Sequence, residues 1–490
     1  MNPLFLTDGY KTSHNRMYPE GTTLVYSNFT PRSNKYAPKG CDAVVVFGPQ
    51  MVMMQLNEMF QKDFFDRPKD EVCGEMKREL SLYLGSDYDV SHFEALHDLG
   101  YLPINVKALE EGTLAPIRVP VLTIYNTHPD FFWVTNYLET ILSNLLWKPM
   151  TSATIAHQYR KVLTKWMLKT DKERDWFIDW QGHDFSMRGM DSIEAVISSG
   201  LGHLTSFSGT DSLPTIYGAR KYYGTEGFVG GSVPATEHSV MCAGGKEDEV
   251  ETFRRLLDTY PTGILSVVSD TWDLWKVCTE HVVTLKEEIM ARDGKLVIRP
   301  DSGDPVDILC GLNTKPDMYS AEQAMHPSFK GVIELLWDVF GGTVNEQGYK
   351  VLDPHIGAIY GDSITIDRAD EICKRLASKG FASTNVVLGI GSFTYQYNTR
   401  DTFGFAMKAT YVEVNGEARE IFKDPITDDG TKKSATGLLS VLYDENNEYK
   451  LIDRVHWGTT NDGCLQTIYF NGYFRNVTTL DDIRKRLKTI

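Results

Sequence analysis

The sequence predicts an α/β fold in which a central βα barrel is combined with a second, discontinuous α+β domain. Between about residues 180 and 395, short apolar runs alternate with amphipathic helical segments, a rhythm typical of a parallel sheet or barrel. Both ends of the chain are instead rich in strands and turns, and at roughly 150 residues per domain the 490 residues have room for about three domains. We therefore predict that residues 1–180 plus 396–490 form the discontinuous domain and that residues 181–395 form the barrel.

The elements at the two ends of the chain follow from local patterns. Near the N-terminus, the β-rich runs TTLVYSNF and CDAVVVFG precede a helical stretch, PQMVMMQLNEMFQKDFF. The last hundred or so residues contain the strand-like runs FGFAMKATYVEV and LLSVLYDENNEYKLID, the turn dipeptide Asn415-Gly416 and a short terminal helix. We infer that both ends fold into one domain around the barrel.

Within the barrel region, each predicted strand is followed by a polar or glycine-containing cluster. The predicted strands are GHLTSF, FVGGSVPA, GILSVVS, KLVI, HIGAIY and NVVL. Among the helices, EVETFRRLLDTY places Val250, Phe253, Leu256, Leu257 and Tyr260 on one face, and DRADEICKRLASKG ends at a glycine. Because βα barrels build ligand sites at the C-terminal ends of their strands, this repeated placement predicts a site there.

Composition and charge narrow the class of protein. Hydrophobic residues make up 42% and charged residues 24% of the chain, which is typical of folded globular proteins and argues against a disordered, fibrous or membrane-embedded one. The net charge of −16, from 50 basic and 66 acidic side chains, would repel nucleic acid and anionic lipid. Anionic ligands would therefore require a local group of cations.

The cysteines and the N-terminus predict a cytoplasmic protein. Seven cysteines are scattered along the chain without a CxxC pair, which favours free thiols in a reducing compartment over disulfides or a zinc site. The N-terminal residues contain neither a basic n-region nor a signal-peptide cleavage site. No window approaches the roughly 18 continuous apolar residues of a membrane span, so we expect neither secretion nor membrane insertion.

The clusters at the predicted strand ends offer acids, a histidine and an arginine. Carboxylates would take sugar hydroxyls or hydrated magnesium and an arginine would take phosphate, so the set suits a polyhydroxylated, phosphorylated ligand. The set consists of Asp211, Glu237, His238, Asp270, Arg299, Asp301 and Asp362.

Each of these residues also has a structural interpretation. A single acid at a strand end could instead be a turn or helix-capping residue, and His238 could be a satisfied hydrogen-bonding group rather than a nucleophile or base. Phe185 alone could belong to the core rather than form a stacking platform. The sequence lacks paired His/Cys spacing, which argues against a zinc site. It also lacks a P-loop and a complete GxGxxG motif, which excludes nucleotide binding by those two motifs.

A series of short motifs resembles the nicotinamide phosphoribosyltransferase family. The motifs, in chain order, are TDGYK, HDFSMRG, SFSGTD, SVPATEHS, SVVSD, IRPDSGDP, YGDSI, TRDTFGFAMK and FKDP. The resemblance extends from about residue 5 to residue 435 and implies a type II phosphoribosyltransferase, with an irregular α/β barrel and a second domain. It further implies synthesis of nicotinamide mononucleotide and pyrophosphate from nicotinamide and phosphoribosyl pyrophosphate, coupled to ATP hydrolysis, by a head-to-tail homodimer with shared active sites.

The resemblance also implies roles in binding the base. Phe185 and, from the neighbouring subunit, Tyr10 would sandwich the pyridine ring, since a flat aromatic ligand gains most from two π faces. Arg188 and Arg299 would border the ring and the phosphate-bearing substrate. Asp211 would accept a hydrogen bond from the carboxamide of nicotinamide and repel the carboxylate of nicotinate.

For the transfer chemistry, the resemblance implies that His238 takes the γ-phosphoryl group of ATP, with Glu237 and Asp270 orienting it. Asp301 and Asp362 would hold ribose hydroxyls, and Gly361 with the Gly391-Ser392 backbone would face the 5′-phosphate. Magnesium would be held mainly by substrate phosphates. The cations expected to bind pyrophosphate or ATP phosphates, some from the partner subunit, are Arg32, Arg188, Arg400, Lys408 and Lys423.

Two alternatives remain open on the sequence alone. A nicotinate phosphoribosyltransferase would share the fold and the histidine chemistry, and Asp211 argues against it. A non-catalytic binding or signalling protein would also keep the fold, but it would be free to lose some of the residues that are present here.

Overall fold

The structure, a computed structural model, describes residues 1–313, 320, 325–422 and 435–489. Its strands, in chain order, are β1 (Thr22–Thr30), β2 (Ala43–Val45), β3 (Ile104–Ala108), β4 (Leu114–Pro116), β5 (Leu122–Asn126), β6 (Gly182–Asp184), β7 (Gly209–Thr210), β8 (Thr262–Val268), β9 (Asp293–Arg299), β10 (Gly342–Val344), β11 (Lys350–Leu352), β12 (Ile356–Tyr360), β13 (Val386–Ile390), β14 (Ala406–Val414), β15 (Glu417–Glu420), β16 (Leu438–Tyr443), β17 (Tyr449–Val455), β18 (Gln466–Phe470) and β19 (Tyr473–Phe474).

The longer helices are α1 (Pro49–Phe60), α2 (Lys69–Leu84), α3 (Ser91–Leu99), α4 (Glu139–Thr170), α5 (Ile193–Leu204), α6 (Leu213–Tyr223), α7 (Glu249–Thr259), α8 (Val332–Phe340), α9 (Ile366–Ser378) and α10 (Leu480–Lys488). Shorter α-helical segments are His14–Met17, Val134–Tyr137, Ile178–Gln181, His238–Ala243, Leu274–Lys276, Val282–Thr284, Lys286–Ala291, Pro305–Cys310 and Ser392–Gln396.

The chain divides into two compact units. The first comprises Met1–Thr154, Tyr217–Glu226 and Asn398–Ile490, and the second comprises Ile155–Ile216 and Gly227–Tyr397. The domain limits expected from the sequence, 1–180 plus 396–490 and 181–395, stay a prediction. The observed division differs from them by placing residues 155–180 and 396–397 in the second unit and residues 217–226 in the first. The boundary at 154/155 falls inside the 32-residue helix α4, which continues through Pro149 without a break.

The first unit is built on a seven-stranded antiparallel sheet. Its strand order is β15-β14-β1-β5-β3-β18-β19, so that strands from the beginning and the end of the chain are hydrogen-bonded to each other. The Asn415-Gly416 dipeptide forms the predicted turn between β14 and β15, with φ of 56° and 76°, the left-handed values that a tight hairpin turn requires. The predicted discontinuous α+β domain is therefore confirmed.

The second unit is built on a six-stranded parallel sheet. Its strand order is β7-β6-β13-β12-β9-β8. The segment 231–235 makes isolated parallel bridges to both edges, through Gly231 with Gly209 and through Ala235 with Ser266, and so closes the sheet as an irregular barrel. Helices with one apolar face cover it, as predicted: α7 buries Phe253, Leu256 and Leu257 against the core.

Two predicted strands are wrong. The first half of the run GHLTSF, residues 202–204, is the end of helix α5, which begins after Ser192, whose hydroxyl accepts a hydrogen bond from the Ala195 N–H at 3.1 Å. Only Gly209 and Thr210 of that region form a strand. The run FVGGSVPA makes isolated bridges rather than a strand, in keeping with the weak strand propensity of its paired glycines.

The predicted burial of Tyr260 on the apolar face of α7 is also wrong. The helix ends at Thr259, and Tyr260 is 41% exposed. Pro261 follows Tyr260, and the residue before a proline is disfavoured in helical geometry, so Tyr260 leaves the helix with φ −120° and ψ 74°.

A buried histidine links α5 to the barrel. The His203 side chain is inaccessible to solvent, its Nε2 lies 3.0 Å from the carbonyl oxygen of Gly209, and its Nδ1 lies 2.7 Å from the Tyr395 hydroxyl. A carbonyl oxygen can only accept, so Nε2 carries the proton and Nδ1 accepts from the tyrosine hydroxyl. Burial lowers the pKa of His203 to about 4, and the imidazole is neutral in the folded protein.

We expect His203 to destabilise the fold at acidic pH. Its pKa is lowered from 6.5 in the unfolded chain to about 4 in the folded protein, so its stabilising effect is complete above pH 6.5 and is lost as the pH falls towards 4. The loss amounts to about 2 kcal/mol at about pH 5. Thermal unfolding midpoints from about pH 7.5 to pH 5 should fall more steeply for the wild type than for His203→Gln, which keeps a donor and an acceptor but does not titrate. Parallel pH profiles would contradict this expectation.

Candidate active site

The barrel encloses a cavity of about 380 Å³ that is lined by residues of the second unit. Phe185, Asp211 and Arg299, all predicted from the sequence, line it together at the C-terminal ends of their strands. The guanidinium carbon of Arg299 lies 5.1 Å from the centre of the Phe185 ring. Arg299 Nε is buried and has no hydrogen-bond partner within the described part of the chain, so an acceptor on a ligand would satisfy it.

Phe185 owes its position to the neighbouring strand β13. Its N–H donates to the carbonyl oxygen of Ile390 at 2.9 Å, which continues the β6–β13 pairing. A Cβ atom at Gly389 would lie 2.5 Å from the phenyl ring, so the absence of a side chain there allows the ring to pack against the backbone of β13. The ring is partly exposed and faces the cavity, which fits a stacking platform better than a core residue.

Asp211 follows β7 and is anchored through one oxygen. Its Oδ1 lies 3.0 Å from His183 Nε2 and accepts a hydrogen bond from the Ser232 hydroxyl. Burial raises the pKa of Asp211, but the hydrogen bonds from His183 and Ser232 and the positive charge of Arg299 outweigh it, and the pKa is lowered overall. The carboxylate is therefore ionised at the mouth of the cavity.

His238 and Asp270 form a pair at the same C-terminal end of the barrel as Asp211. His238 begins the short helix His238–Ala243, its side chain is 48% exposed, and its Nε2 lies 3.2 Å from Asp270 Oδ1. The other carboxylate oxygen of Asp270 accepts from the Asp301 N–H at 3.0 Å and from the Ser302 hydroxyl. Because Nε2 faces an acceptor, Nδ1 is the ring nitrogen left for a ligand.

Glu237 lies next to His238 in sequence but has another partner. Its carboxylate accepts a hydrogen bond from the Ser239 hydroxyl. Glu237 occupies the N-cap position of the short helix His238–Ala243, but its side chain makes no capping hydrogen bond. The role of Glu237 in orienting His238 therefore stays a prediction. Asp270, in contrast, lies within hydrogen-bonding distance of the His238 imidazole.

The loops predicted to bind ribose and phosphate follow three adjacent strands. Asp301 follows β9, Gly361 and Asp362 follow β12, and Gly391 and Ser392 follow β13. A Cβ atom at Gly361 would lie 3.1 Å from Asp301 Oδ1 and 3.4 Å from Arg299 Nε, so the two loops are in close contact. Arg188 is exposed on the 3₁₀ helix Met187–Gly189, just beyond Phe185.

The remaining predicted residues belong to the first unit. Tyr10, Arg400 and Lys408 line a separate cavity of about 410 Å³, and the Tyr10 side chain is 64% exposed. Arg32 donates from Nε to the carbonyl oxygen of Gly404 at 3.2 Å, and burial together with the charge of Arg400 lowers its pKa. Lys423 lies outside the described residues. The predicted site residues thus form two groups, one in each unit.

Sequence reasoning missed His183 and Ser232, the two residues that hold Asp211. For His183 a signal exists, because alternate residues of a strand share a face and His183 is two residues before Phe185. For Ser232 the sequence offers no comparable signal, since it lies in a segment without regular structure.

In the part of the chain that the structure describes, neither a protein-only metal site nor a membrane span is found. Among the described residues, no group of three or more His, Cys, Asp or Glu side chains is arranged to hold a metal ion. Within the same part of the chain, no helix combines the length and apolar character needed to cross a bilayer. All seven cysteines are free, five of them buried, as the sequence predicted.

Solved structures share this fold across nearly the whole chain. The nicotinate-nucleotide pyrophosphorylase from Pyrococcus furiosus matches with a TM-score of 0.55 at 15% identity, covering 100% of this chain and 95% of that one. The human nicotinic acid phosphoribosyltransferase matches with a TM-score of 0.55 at 16% identity, covering 99% and 93%. The fold is that of the type II phosphoribosyltransferases, and the predicted fold class is confirmed.

Sequence comparison identifies the family within the type II phosphoribosyltransferases. Residues 180–472 match the nicotinate phosphoribosyltransferase (NAPRTase) family, and residues 2–105 match the nicotinamide phosphoribosyltransferase N-terminal domain. A nicotinamide phosphoribosyltransferase from Acinetobacter baylyi is 52% identical over 99% of this chain and 97% of its own length. One from Xanthomonas campestris is 34% identical, with the same coverage of both chains. The chain belongs to the nicotinate phosphoribosyltransferase family, in the branch that contains the nicotinamide phosphoribosyltransferases, and is an enzyme of the phosphoribosyltransferase class.

Proposed function

We propose that the protein transfers the phosphoribosyl group of phosphoribosyl pyrophosphate to nicotinamide, giving nicotinamide mononucleotide and pyrophosphate, and couples this reaction to ATP hydrolysis through a phosphohistidine at His238. The observation that carries the choice of base is the ionised carboxylate of Asp211 at the mouth of a cavity that also contains Phe185 and Arg299. The 52% identity to a nicotinamide phosphoribosyltransferase over nearly the full chain supports the same base and a role in NAD salvage.

Recognition of nicotinamide follows from the groups around the cavity mouth. The pyridine ring would stack on Phe185, with Tyr10 of a second copy of this chain on its other face. The carboxamide N–H would donate to Asp211, while Arg299 lies on the same side of the cavity as Phe185. Nicotinate carries a carboxylate at the position of the amide, and Asp211 would repel it, so that one residue both selects and rejects.

Phosphoribosyl transfer would proceed by departure of pyrophosphate from ribose C1, which leaves an oxocarbenium-like cation. Asp301 and Asp362 would hold the ribose hydroxyls and stabilise that charge, and Gly361 with the Gly391-Ser392 backbone would bind the 5′-phosphate. The three loops that carry these residues follow adjacent strands, which supports their acting on one ligand.

Coupling to ATP would use the open nitrogen of His238. With Nε2 facing Asp270, Nδ1 would attack the γ-phosphorus of ATP and ADP would leave. The phosphoryl group adds negative charge beside the pyrophosphate-binding region. The cations that would neutralise pyrophosphate and ATP phosphates, in part from a partner subunit, are Arg32, Arg188, Arg400, Lys408 and Lys423.

Magnesium is the metal that we propose for this reaction. Because the described residues form no cluster of three or more metal-ligating side chains, it would bind mainly through oxygens of the substrate phosphates. We also propose that the protein is a homodimer with shared active sites and that it is cytoplasmic.

The test is an assay of the purified protein with each base in parallel, in the presence of phosphoribosyl pyrophosphate and magnesium, with and without ATP. We expect turnover of nicotinamide, stimulated by ATP, and little or no turnover of nicotinate. Turnover of nicotinate alone would establish the nicotinate enzyme instead. Tight binding of both substrates without product would indicate a non-catalytic member of the fold.

A further inference from the structure

We propose that His183 is a positioning residue that sets the selectivity for nicotinamide over nicotinate, by holding the Asp211 carboxylate in one orientation at the mouth of the cavity. The inference rests on the proposed transfer to nicotinamide and extends it to a residue that would not touch the reacting atoms. Two kinds of observation support it: the contacts between strands β6 and β7, and the hydrogen bonds that one of the two Asp211 carboxylate oxygens accepts.

The first observation is the path from His183 to Asp211. His183 lies in β6 opposite Gly209 of the parallel neighbour β7, and Asp211 follows β7 directly. A Cβ atom at Gly209 would lie 2.6 Å from His183 Nδ1, closer than any side chain could be tolerated. The absence of a side chain at Gly209 therefore lets the imidazole cross β7 and reach Asp211 with Nε2, at 3.0 Å from Oδ1.

The second observation is the environment of the imidazole. His183 is only 9% exposed, and its ring centre lies 4.7 Å from that of Phe185, the proposed stacking platform. The ring is thus held between the β7 backbone and Phe185, and it has little freedom to turn. A fixed donor is what a partly exposed carboxylate needs to adopt one rotamer, and the Asp211 side chain is 41% exposed.

The third observation is that both donors bind the same carboxylate oxygen. His183 Nε2 and the Ser232 hydroxyl are both directed at Asp211 Oδ1, and within the described residues no hydrogen bond to Oδ2 is seen. The carboxylate is therefore held from one side, and Oδ2 is the oxygen available to the carboxamide N–H of nicotinamide. Without these donors the carboxylate would lose the two hydrogen bonds that favour this orientation.

Selectivity depends on this fixed orientation because Arg299 lines the same cavity. Its positive charge acts on Asp211, and it would also attract the carboxylate of nicotinate. A fixed Asp211 keeps its negative charge directed at the substituent of the base, where it accepts an amide proton or repels a carboxylate. A released Asp211 could turn towards Arg299 or solvent, which would weaken both effects at once.

The experiment measures kcat and KM for both bases in the full-length dimer or monomer as purified. In His183→Leu, loss of a hydrogen bond to a charged acceptor should raise KM for nicotinamide about tenfold or more, with a smaller change in kcat, and should improve kcat/KM for nicotinate. His183→Gln places an amide donor near the position of Nε2 and should restore most of the selectivity. Ser232→Ala, at an exposed position, should lower selectivity in the same direction without affecting folding.

A double-mutant cycle separates positioning from a general structural effect. In an Asp211→Ala background, His183→Leu should no longer change the ratio of kcat/KM values for the two bases, because the group that it positions is gone. An unchanged ratio in His183→Leu and Ser232→Ala, or effects of His183→Leu that are equal in both backgrounds, would overturn the inference. A wild type that uses only nicotinate would instead refute the proposed function, so the two failures are distinguishable.

Discussion

Replacing Asp211 with asparagine should open the enzyme to nicotinate and impair its use of nicotinamide. At about 4 Å and an effective dielectric of about 20, the repulsion between two carboxylates is at most about 4 kcal/mol, and partial hydration of Asp211 reduces it. We therefore expect kcat/KM for nicotinate to rise on the order of 10²-fold. For nicotinamide, a neutral amide oxygen is a weaker acceptor than a carboxylate, so kcat/KM should fall about tenfold.

The measurement is a steady-state comparison of the two bases at saturating phosphoribosyl pyrophosphate. Asp258→Asn is the matched control, because it removes the same charge from an exposed position of α7 in the same unit. That control should leave the preference for nicotinamide unchanged. If Asp211→Asn keeps the wild-type preference, Asp211 does not discriminate between the bases.

Replacing His238 with alanine should abolish the coupling to ATP while leaving slow transfer of the phosphoribosyl group. Nδ1 is the proposed phosphoryl acceptor, so ATP hydrolysis should fall by at least on the order of 10³-fold, the scale seen when a covalent nucleophile is removed. Formation of nicotinamide mononucleotide should become independent of ATP and should not exceed the rate that the wild type reaches without ATP. Phosphate release and product formation are measured in the same samples.

His355→Ala is the matched control for this experiment. His355 also contacts a carboxylate, with 2.7 Å between its Nδ1 and Asp353 Oδ1, but it immediately precedes β12 and so lies at the opposite end of that strand from Gly361 and Asp362. Its substitution should preserve both ATP hydrolysis and ATP stimulation. Transfer of labelled γ-phosphate from ATP to wild-type protein, absent in His238→Ala, would identify the site. ATP stimulation that survives in His238→Ala would refute the phosphohistidine.

The sequence predicted the barrel and its rim because both depend on local patterns. Apolar runs followed by polar clusters marked β8, β9, β12 and β13, and the parallel sheet brought the ends of these strands to one edge. The predicted strands were wrong where the same local pattern is compatible with either a strand or a helix. The run GHLTSF is apolar enough for a strand, but its first three residues continue helix α5, whose first turn is capped by Ser192.

By itself, the sequence determined the class of fold, the family and the list of chemically capable side chains at the strand ends. Only the tertiary structure decided which side chains are neighbours: that His183, which the sequence did not identify, reaches Asp211 across Gly209, and that Asp270 joins His238 to the loop of Asp301. Residue types and periodicity specify which face of a strand is buried, because they act through nearest neighbours in the chain. Hydrogen bonds between residues 28 to 32 positions apart depend on the register of adjacent strands, which the whole packed barrel fixes.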